Sequence, residues 1–421
     1  MSAAPSVLRA VWPIALLGLV LRGFVAWTLP LDASDAVREC APDERGHLQV
    51  IQRLASGRLL TTAPDPRSSY EAFPPAPYVP HAASLLIGGG AASDGLARFP
   101  PRSESGAGFL AARAGSVAVG VLTVVLLALA AHAWTGEVAA ARWTALVAAL
   151  YPQFLFIGGY ANADAYTLAV GALSVFALAR WARAGEGRVG LDLVAAALGL
   201  VVLGKPSGYF LLVTTGAWIA MAMRGARLDG RTVARATAVA LAVAGPCLAW
   251  NAWRTGGDVL GLRHYAAWLA SLRHPFTPGI EIPNARRLFV EWLSVSSFAA
   301  FRNLDLHLPT AFYGAAIAFL VLGLVVAAAS HGRRLAATDR RGVVWLGASA
   351  TLNLALVAYN CWFVGFSPQG RYLMLNVLVL TAIACIGPER RWRLWPFAYI
   401  AFLAVAALWS MALIHANPCL G

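Results

Sequence analysis

The sequence predicts an all-α, polytopic membrane protein, and three observations lead there. Hydrophobic residues fill 59% of the 421 positions and mean hydropathy is +0.64, far above a water-soluble domain. Apolar runs of about 20 residues recur, the length that crosses a hydrocarbon core of roughly 30 Å. These runs are continuous Leu/Val/Ala stretches rather than alternating ones. Since only helices or closed barrels satisfy the backbone in lipid, helices are selected.

About eleven spans follow from run length: residues 9–31, 108–134, 138–158, 162–184, 188–204, 206–223, 232–252, 309–330, 341–363, 370–387 and 392–415. The first is long for a cleaved leader and carries Arg22, so it reads as a retained signal anchor, with Arg22 snorkelling to a headgroup. The loops with Arg180, Arg183 and Arg188, then Arg224, Arg227, Arg231 and Arg235, then Arg333, Arg334, Arg340 and Arg341, then Arg390, Arg391 and Arg393 fall on one side. That side is cytoplasmic by the positive-inside rule, which places the N-terminus inside and the C-terminus outside a multi-pass plasma (inner) membrane protein. The formal net charge of +13 is then explained by inner loops facing anionic lipid, and no nucleic-acid partner is implied. Cys40 and Cys419 fall outside, Cys247, Cys361 and Cys385 fall in spans, and no CxxC or metal-ligand spacing occurs. No internal repeat is visible.

One transmembrane domain, 1–421, thus carries two long outer loops, 32–107 and 253–308. The first predicts a juxtamembrane helix over about 43–57, with Leu48, Ile51 and Leu54 on one stripe and Gly57 ending it. A Pro-Pro turn and a second short helix near 77–88 follow, and both helices are expected in the membrane interface. The second loop, with Arg254, Asp258, His264, Arg273 and His274, shows no motif.

Five segments bring polar residues to the outer boundary, where charge at membrane depth is costly and marks candidate sites. They supply Asp43, Glu44, His47 and Glu71 from the first loop, and Arg113 from the second span. "GGYANADAY" supplies Asn162 and Asp164, "LGKPSGY" supplies Lys205, and "GFSPQGRYLML" supplies Gln369, Arg371 and Tyr372. Each has a plainer reading. Asp43 can cap a helix, Glu44 and His47 can form a solvated face, Arg113 can reach a headgroup, Asn162 and Asp164 can cap the fourth span, and Gln369 can satisfy loop backbone. Lys205 stands apart as the only lysine against 32 arginines. A compact ammonium suits a phosphate point contact and an arginine fork suits paired oxygens, so Lys205 and Arg371 read as an anion site.

In this order the motifs resemble the GT-C superfamily of membrane glycosyltransferases, in the branch of protein O-mannosyltransferases and lipid A aminoarabinose transferases. The matching stretches are "DERGHLQVIQRLASGR", "YEAFPPAPY", "NAD" at Asn162–Asp164, "GKPSG", "WLSVSSFAAFRNLDLHLPTAFYG" and "QGRY" at Gln369–Tyr372, spread over residues 10–385. Phe73 and Ala76-Pro77 depart from the family's usual residues around Pro-Pro. The chain also stops at Gly421 without the C-terminal soluble domain of some members, so acceptor recognition is expected in the outer loops or a partner.

The resemblance implies transfer of a sugar from a polyprenyl-phosphate donor to a hydroxyl acceptor (glycan, lipid or protein) on the periplasmic or extracellular face, with inversion. Asp43 is the expected base, and Lys205 and Arg371, with Arg113, the cations for the leaving phosphate. Asp164 and Glu71 are expected to hold sugar hydroxyls, and Glu44, His47, Asn162, Gln369 and Tyr372 to complete the donor site. No cofactor is expected. A divalent metal at Asp43, Glu44 and Asp164 is the disfavoured variant. Two rival readings remain at this stage: a transporter or flippase of a lipid-linked sugar, which usually shows midplane residues and repeat symmetry, and an inactive GT-C-like partner in envelope assembly.

Overall fold

The computed structural model describes residues 4–29, 41, 43–61, 64, 70–88, 106–271, 282, 284–301, 306–338, 340–364, 367–385 and 394–416. Cys40, Cys419, Arg273, His274, Arg390, Arg391 and Arg393 lie outside the described residues, as do the side chains of Arg333, Arg334 and Arg340. The helices run α1 (Ala4–Thr28), α2 (Glu44–Ala55), α3 (Arg58–Thr61), α4 (Val79–Ile87), α5 (Gly106–Thr135), α6 (Val138–Leu150), α7 (Pro152–Ile157), α8 (Ala163–Arg183) and α9 (Leu191–Val202). They continue as α10 (Phe210–Arg224), α11 (Gly230–Arg254), α12 (Leu262–Ser271), α13 (Ala285–Phe298), α14 (Thr310–Thr338), α15 (Arg340–Phe363), α16 (Met374–Cys385) and α17 (Trp395–Ala416). Between α13 and α14, β1 (Ala300–Phe301) pairs antiparallel with β2 (Leu306–His307), Phe301 opposite Leu306.

A helix stands at each expected span. Among the described residues, seven (α1, α5, α8, α11, α14, α15 and α17) are long and apolar enough to cross a membrane. Helices α6, α9, α10 and α16 are shorter, at 13, 12, 15 and 12 residues, so length and composition qualify seven crossings rather than eleven. The architecture is that of a polytopic helical membrane protein. Proline sets two of the interruptions. The residue before a proline is pushed out of helical backbone, and Tyr151 before Pro152 (ψ 116°) and Lys205 before Pro206 (ψ 150°) are both extended.

Helix α5 packs along α8, α6, α1 and α4, while α9 packs on α11. Trp181, Trp218, Phe154, Phe156, Phe210 and Phe301 are buried in the core. Arg22 is a correction to expectation: it is fully buried rather than snorkelling. Its Nη2 donates to the Ala148 carbonyl at 2.9 Å, and its guanidinium lies 4.3 Å from the Phe154 ring centre, pinning α1 to α6 and α7. Helices α2 and α4 occupy the expected places in the first loop, but the α2 stripe faces protein. Leu48 and Ile51 are buried with Tyr78, Ala82 and Leu85, because α4 lies across α5 and offers α2 an apolar surface.

Candidate active site

Breaks between helices bring polar groups to one end of the bundle. Asp164 sits in the first turn of α8, where free N–H groups and the helix dipole favour an acid. Lys205, held extended by Pro206, projects from the α9–α10 junction, and its backbone N–H donates to Thr167 Oγ1 at 3.1 Å. Arg371 sits in a 3-10 turn before α16. Gly370 is obligatory there, since a Cβ would lie 2.2 Å from the Ser297 nitrogen, and its N–H donates to Ser296 Oγ at 2.6 Å, fixing the turn to α13.

These groups form a chain of alternating charge. Arg371 Nη2 lies 3.0 Å from Asp43 Oδ2, Arg371 Nη1 lies 3.6 Å from Asp164 Oδ2, and Lys205 Nζ lies 2.9 Å from Asp164 Oδ1. Arg371 Nη1 also donates to the Tyr160 hydroxyl at 3.4 Å, while its Nε has no hydrogen-bond partner. The middle of the chain is dry and its ends are open: the side chains of Arg371 and Asp164 are 6% and 4% exposed, those of Lys205 and Asp43 20% and 42%. Burial pushes the Asp43 carboxyl up, but nearby charges, Arg371 foremost, outweigh this and hold it below the usual carboxylate range. Asp43 is therefore ionised at neutral pH.

Asp43 occupies the N-cap position of α2 without capping it. Its backbone is left-handed (φ 61°, ψ 6°) and its side chain makes no cap hydrogen bond. A non-glycine residue there costs about 1 kcal/mol, and such outliers concentrate at functional sites.

Glu44, one residue on, has a different environment. Arg113 binds it in a fork, Nε to Oε1 at 2.8 Å and Nη2 to Oε2 at 2.6 Å, and Glu44 Oε1 also accepts from the Ala161 N–H at 2.8 Å. Arg113 Nη1 donates to the carbonyls of Ala26 and Leu29 at 2.9 and 2.8 Å. The pair joins α1, α2, α5 and the turn before α8, and it is buried. Glu71, also buried, pairs with Arg53, and its carbonyl accepts from Arg254, so it stands outside the Asp43–Lys205 chain.

His47 is fully buried beside the site, its Nδ1 2.8 Å from the Tyr78 hydroxyl and its Nε2 without a partner. Burial first, and the Lys205 charge next, push its pKa down to about 3. The unfolded chain thus takes up a proton that the native ring refuses between about pH 6.5 and about pH 3, and stability falls as pH drops through that window. The slope is at most about 1.4 kcal/mol per pH unit. Thermal unfolding followed from about pH 7 down to about pH 4 checks this: His47→Gln is expected to flatten the decline.

Asn162 caps α8, its Oδ1 accepting from the Ala165 N–H at 2.9 Å. Gln369 donates to the Ser367 hydroxyl at 3.0 Å, and the Tyr372 ring lies 5.5 Å from the Arg371 guanidinium. Tyr160 and Tyr78, which the sequence reading passes over, both join the site. Their signals were present in "GGYANAD" and "PPAPY", but an isolated tyrosine beside a turn has no spacing that marks it.

Among the described residues no three of His, Cys, Asp and Glu gather as metal ligands. Asp43 and Asp164 pair with Arg371 and Lys205, and Glu44 pairs with Arg113.

No protein-family model matches the chain, and no curated protein matches it in sequence. Solved structures share its fold. The archaeal oligosaccharyltransferase AglB from Archaeoglobus fulgidus, in complex with an inhibitory peptide and a dolichol-phosphate, superposes with TM-score 0.53 at 15% identity over 97% of this chain and 55% of its own. A structure of the A. fulgidus oligosaccharyltransferase in complex with Zn and sulfate gives 0.53 at 16% identity, covering 97% and 52%. ArnT from Cupriavidus metallidurans in the apo state gives 0.53 at 16% identity, covering 97% and 65%. The chain spans about half to two-thirds of these proteins' lengths. The helical bundle described above has the fold of the GT-C membrane glycosyltransferases.

Proposed function

We propose that the protein transfers a sugar from a polyprenyl-phosphate donor to a hydroxyl acceptor on the outer face of the plasma membrane, with the N-terminus cytoplasmic. The observation that carries this reading is the charge chain with an open acid at one end and an open ammonium at the other. The two ends match the two demands of glycosyl transfer: a base for the incoming hydroxyl and positive charge for the departing phosphate.

In the proposed reaction the acceptor oxygen forms its bond to the anomeric carbon while the bond from that carbon to the phosphate oxygen breaks. The electron pair leaves with the polyprenyl phosphate, the acceptor proton passes to Asp43, and the anomeric centre inverts. Lys205 and Arg371 take the phosphate oxygens. In the resting protein Arg371 weakens Asp43 as a base by pairing with it. A phosphate competes for that guanidinium, so donor binding raises the basicity of Asp43 when it is needed. Asp164 keeps Lys205 and Arg371 aligned, and the Glu44–Arg113 pair supports the site from beneath.

Lys205→Met removes one charge-assisted contact, worth about 1.5–3 kcal/mol. Undecaprenyl-phosphate affinity is therefore expected to fall about 10- to 100-fold, as read by microscale thermophoresis on purified protein. Unchanged affinity contradicts the phosphate role. The test of the function itself is conversion of a radiolabelled polyprenyl-phosphate sugar by purified protein supplied with envelope extract. Appearance of label on an envelope acceptor supports transfer, and movement of intact donor across liposomes without transfer overturns it.

A further inference from the structure

The second long loop has no readable motif, yet it builds a surface against the first. Asn251 Nδ2 donates to the carbonyls of Ala72 and Val259, both at 2.9 Å, tying the end of α11 to both loops. Gly261 (φ 74°) then brings the start of α12 against the first loop, where a Cβ would lie 2.3 Å from the Ala72 oxygen. This close approach sets Phe73 beside Tyr265, ring centres 5.6 Å apart, and Tyr265 stacks with Trp268 at 5.9 Å and 23°. All three rings are partly exposed.

Positions 264, 265 and 268 share one face of α12 by helical spacing. His264 is polar and partly open on that face. Asp258 Oδ2 accepts from its backbone N–H at 3.0 Å and from Nδ1 at 3.1 Å, so Nδ1 carries a proton and Nε2 remains for a hydrogen bond to a ligand. The face therefore combines stacked rings with hydrogen-bonding groups. The phenol of Tyr265 lies within electrostatic reach of Asp43, Arg371 and Tyr372, which sets the rings near the charge chain.

The geometry points to Phe73, Tyr265 and Trp268 as an acceptor subsite for a pyranose, making the acceptor a carbohydrate; this rests on the transfer reading above. A pyranose carries a C–H face that packs on aromatic rings and hydroxyls that need partners such as His264. An aliphatic lipid chain would use the rings and strand the polar groups, and a bare anion would gain nothing from the rings.

The test uses the full-length protein in detergent with undecaprenyl phosphate present. Saturation-transfer NMR is run with methyl glycosides of glucose, galactose, mannose and N-acetylglucosamine, and with a serine-containing tripeptide. At least one glycoside is expected to receive saturation, and Trp268→Ala and Tyr265→Ala are each expected to weaken its affinity about three- to tenfold. Undecaprenyl-phosphate affinity, which reports on Lys205 and Arg371, is expected to stay unchanged in both variants. Absence of glycoside signal, a signal untouched by both substitutions, or saturation of the tripeptide alone overturns the subsite. Glycoside binding that depends on Trp268, in a protein that does not bind undecaprenyl phosphate, supports the subsite and overturns the donor reading instead.

Discussion

Asp43→Asn is expected to lower sugar transfer about 10²- to 10⁴-fold, the range for removing a general base, while leaving the fold intact. The side chain is 42% exposed and caps nothing, so little packing depends on it. Asparagine also tolerates the left-handed backbone better than most residues. Asp43→Gly sharpens the point. Glycine relieves the positive φ, which offsets part of the lost contact to Arg371, so a thermal midpoint close to wild type is expected together with loss of transfer. A residue kept for stability would show the reverse. Initial rates with a labelled donor, measured beside thermal unfolding, separate the two outcomes.

Glu44→Ala is expected to do the opposite in kind: destabilise by about 3–5 kcal/mol, the cost of breaking a buried ion pair. Arg113 would lose the carboxylate that meets its fork while keeping the Ala26 and Leu29 carbonyls, and the Ala161 N–H would lose its acceptor. Since that N–H belongs to the turn carrying Tyr160, Asn162 and Asp164, activity falls as a consequence of a lost scaffold. The double variant Glu44→Leu, Arg113→Met is expected to recover part of the stability, because no charge is then left uncompensated. Unfolding midpoints in one detergent check the series. A Glu44→Ala protein as stable as wild type contradicts the structural role.

These two neighbours show what the sequence could and could not reveal. Local rules placed α2, its apolar stripe and its end near Gly57, and run length put a break between spans at Lys205. Composition singled out Lys205, and charge at membrane depth singled out Asp43, Asp164 and Arg371. Pairing across the chain was out of reach. Arg113 lies 69 positions from Glu44 and Arg371 lies 328 from Asp43, and no local spacing encodes such partners. The resemblance separates Asp43 as base from Glu44 as support, but nothing local foretells that one faces an open end of the charge chain and the other an arginine fork. The same reason hid Phe73 and Tyr265, which meet only because Gly261 lets two loops touch. Span count suffered differently. Pro152 splits the 138–158 run into α6 and α7, and length and composition qualify seven crossings among the described residues.

The most direct measurement is an experimental structure of the purified protein with undecaprenyl phosphate bound. The account predicts the phosphate within hydrogen-bond distance of Lys205 and Arg371, with the Asp43–Arg371 contact lengthened and the Asp43 carboxylate facing the acceptor side. A phosphate seated elsewhere, with Asp43 still paired to Arg371 and Lys205 still held by Asp164 alone, would contradict it.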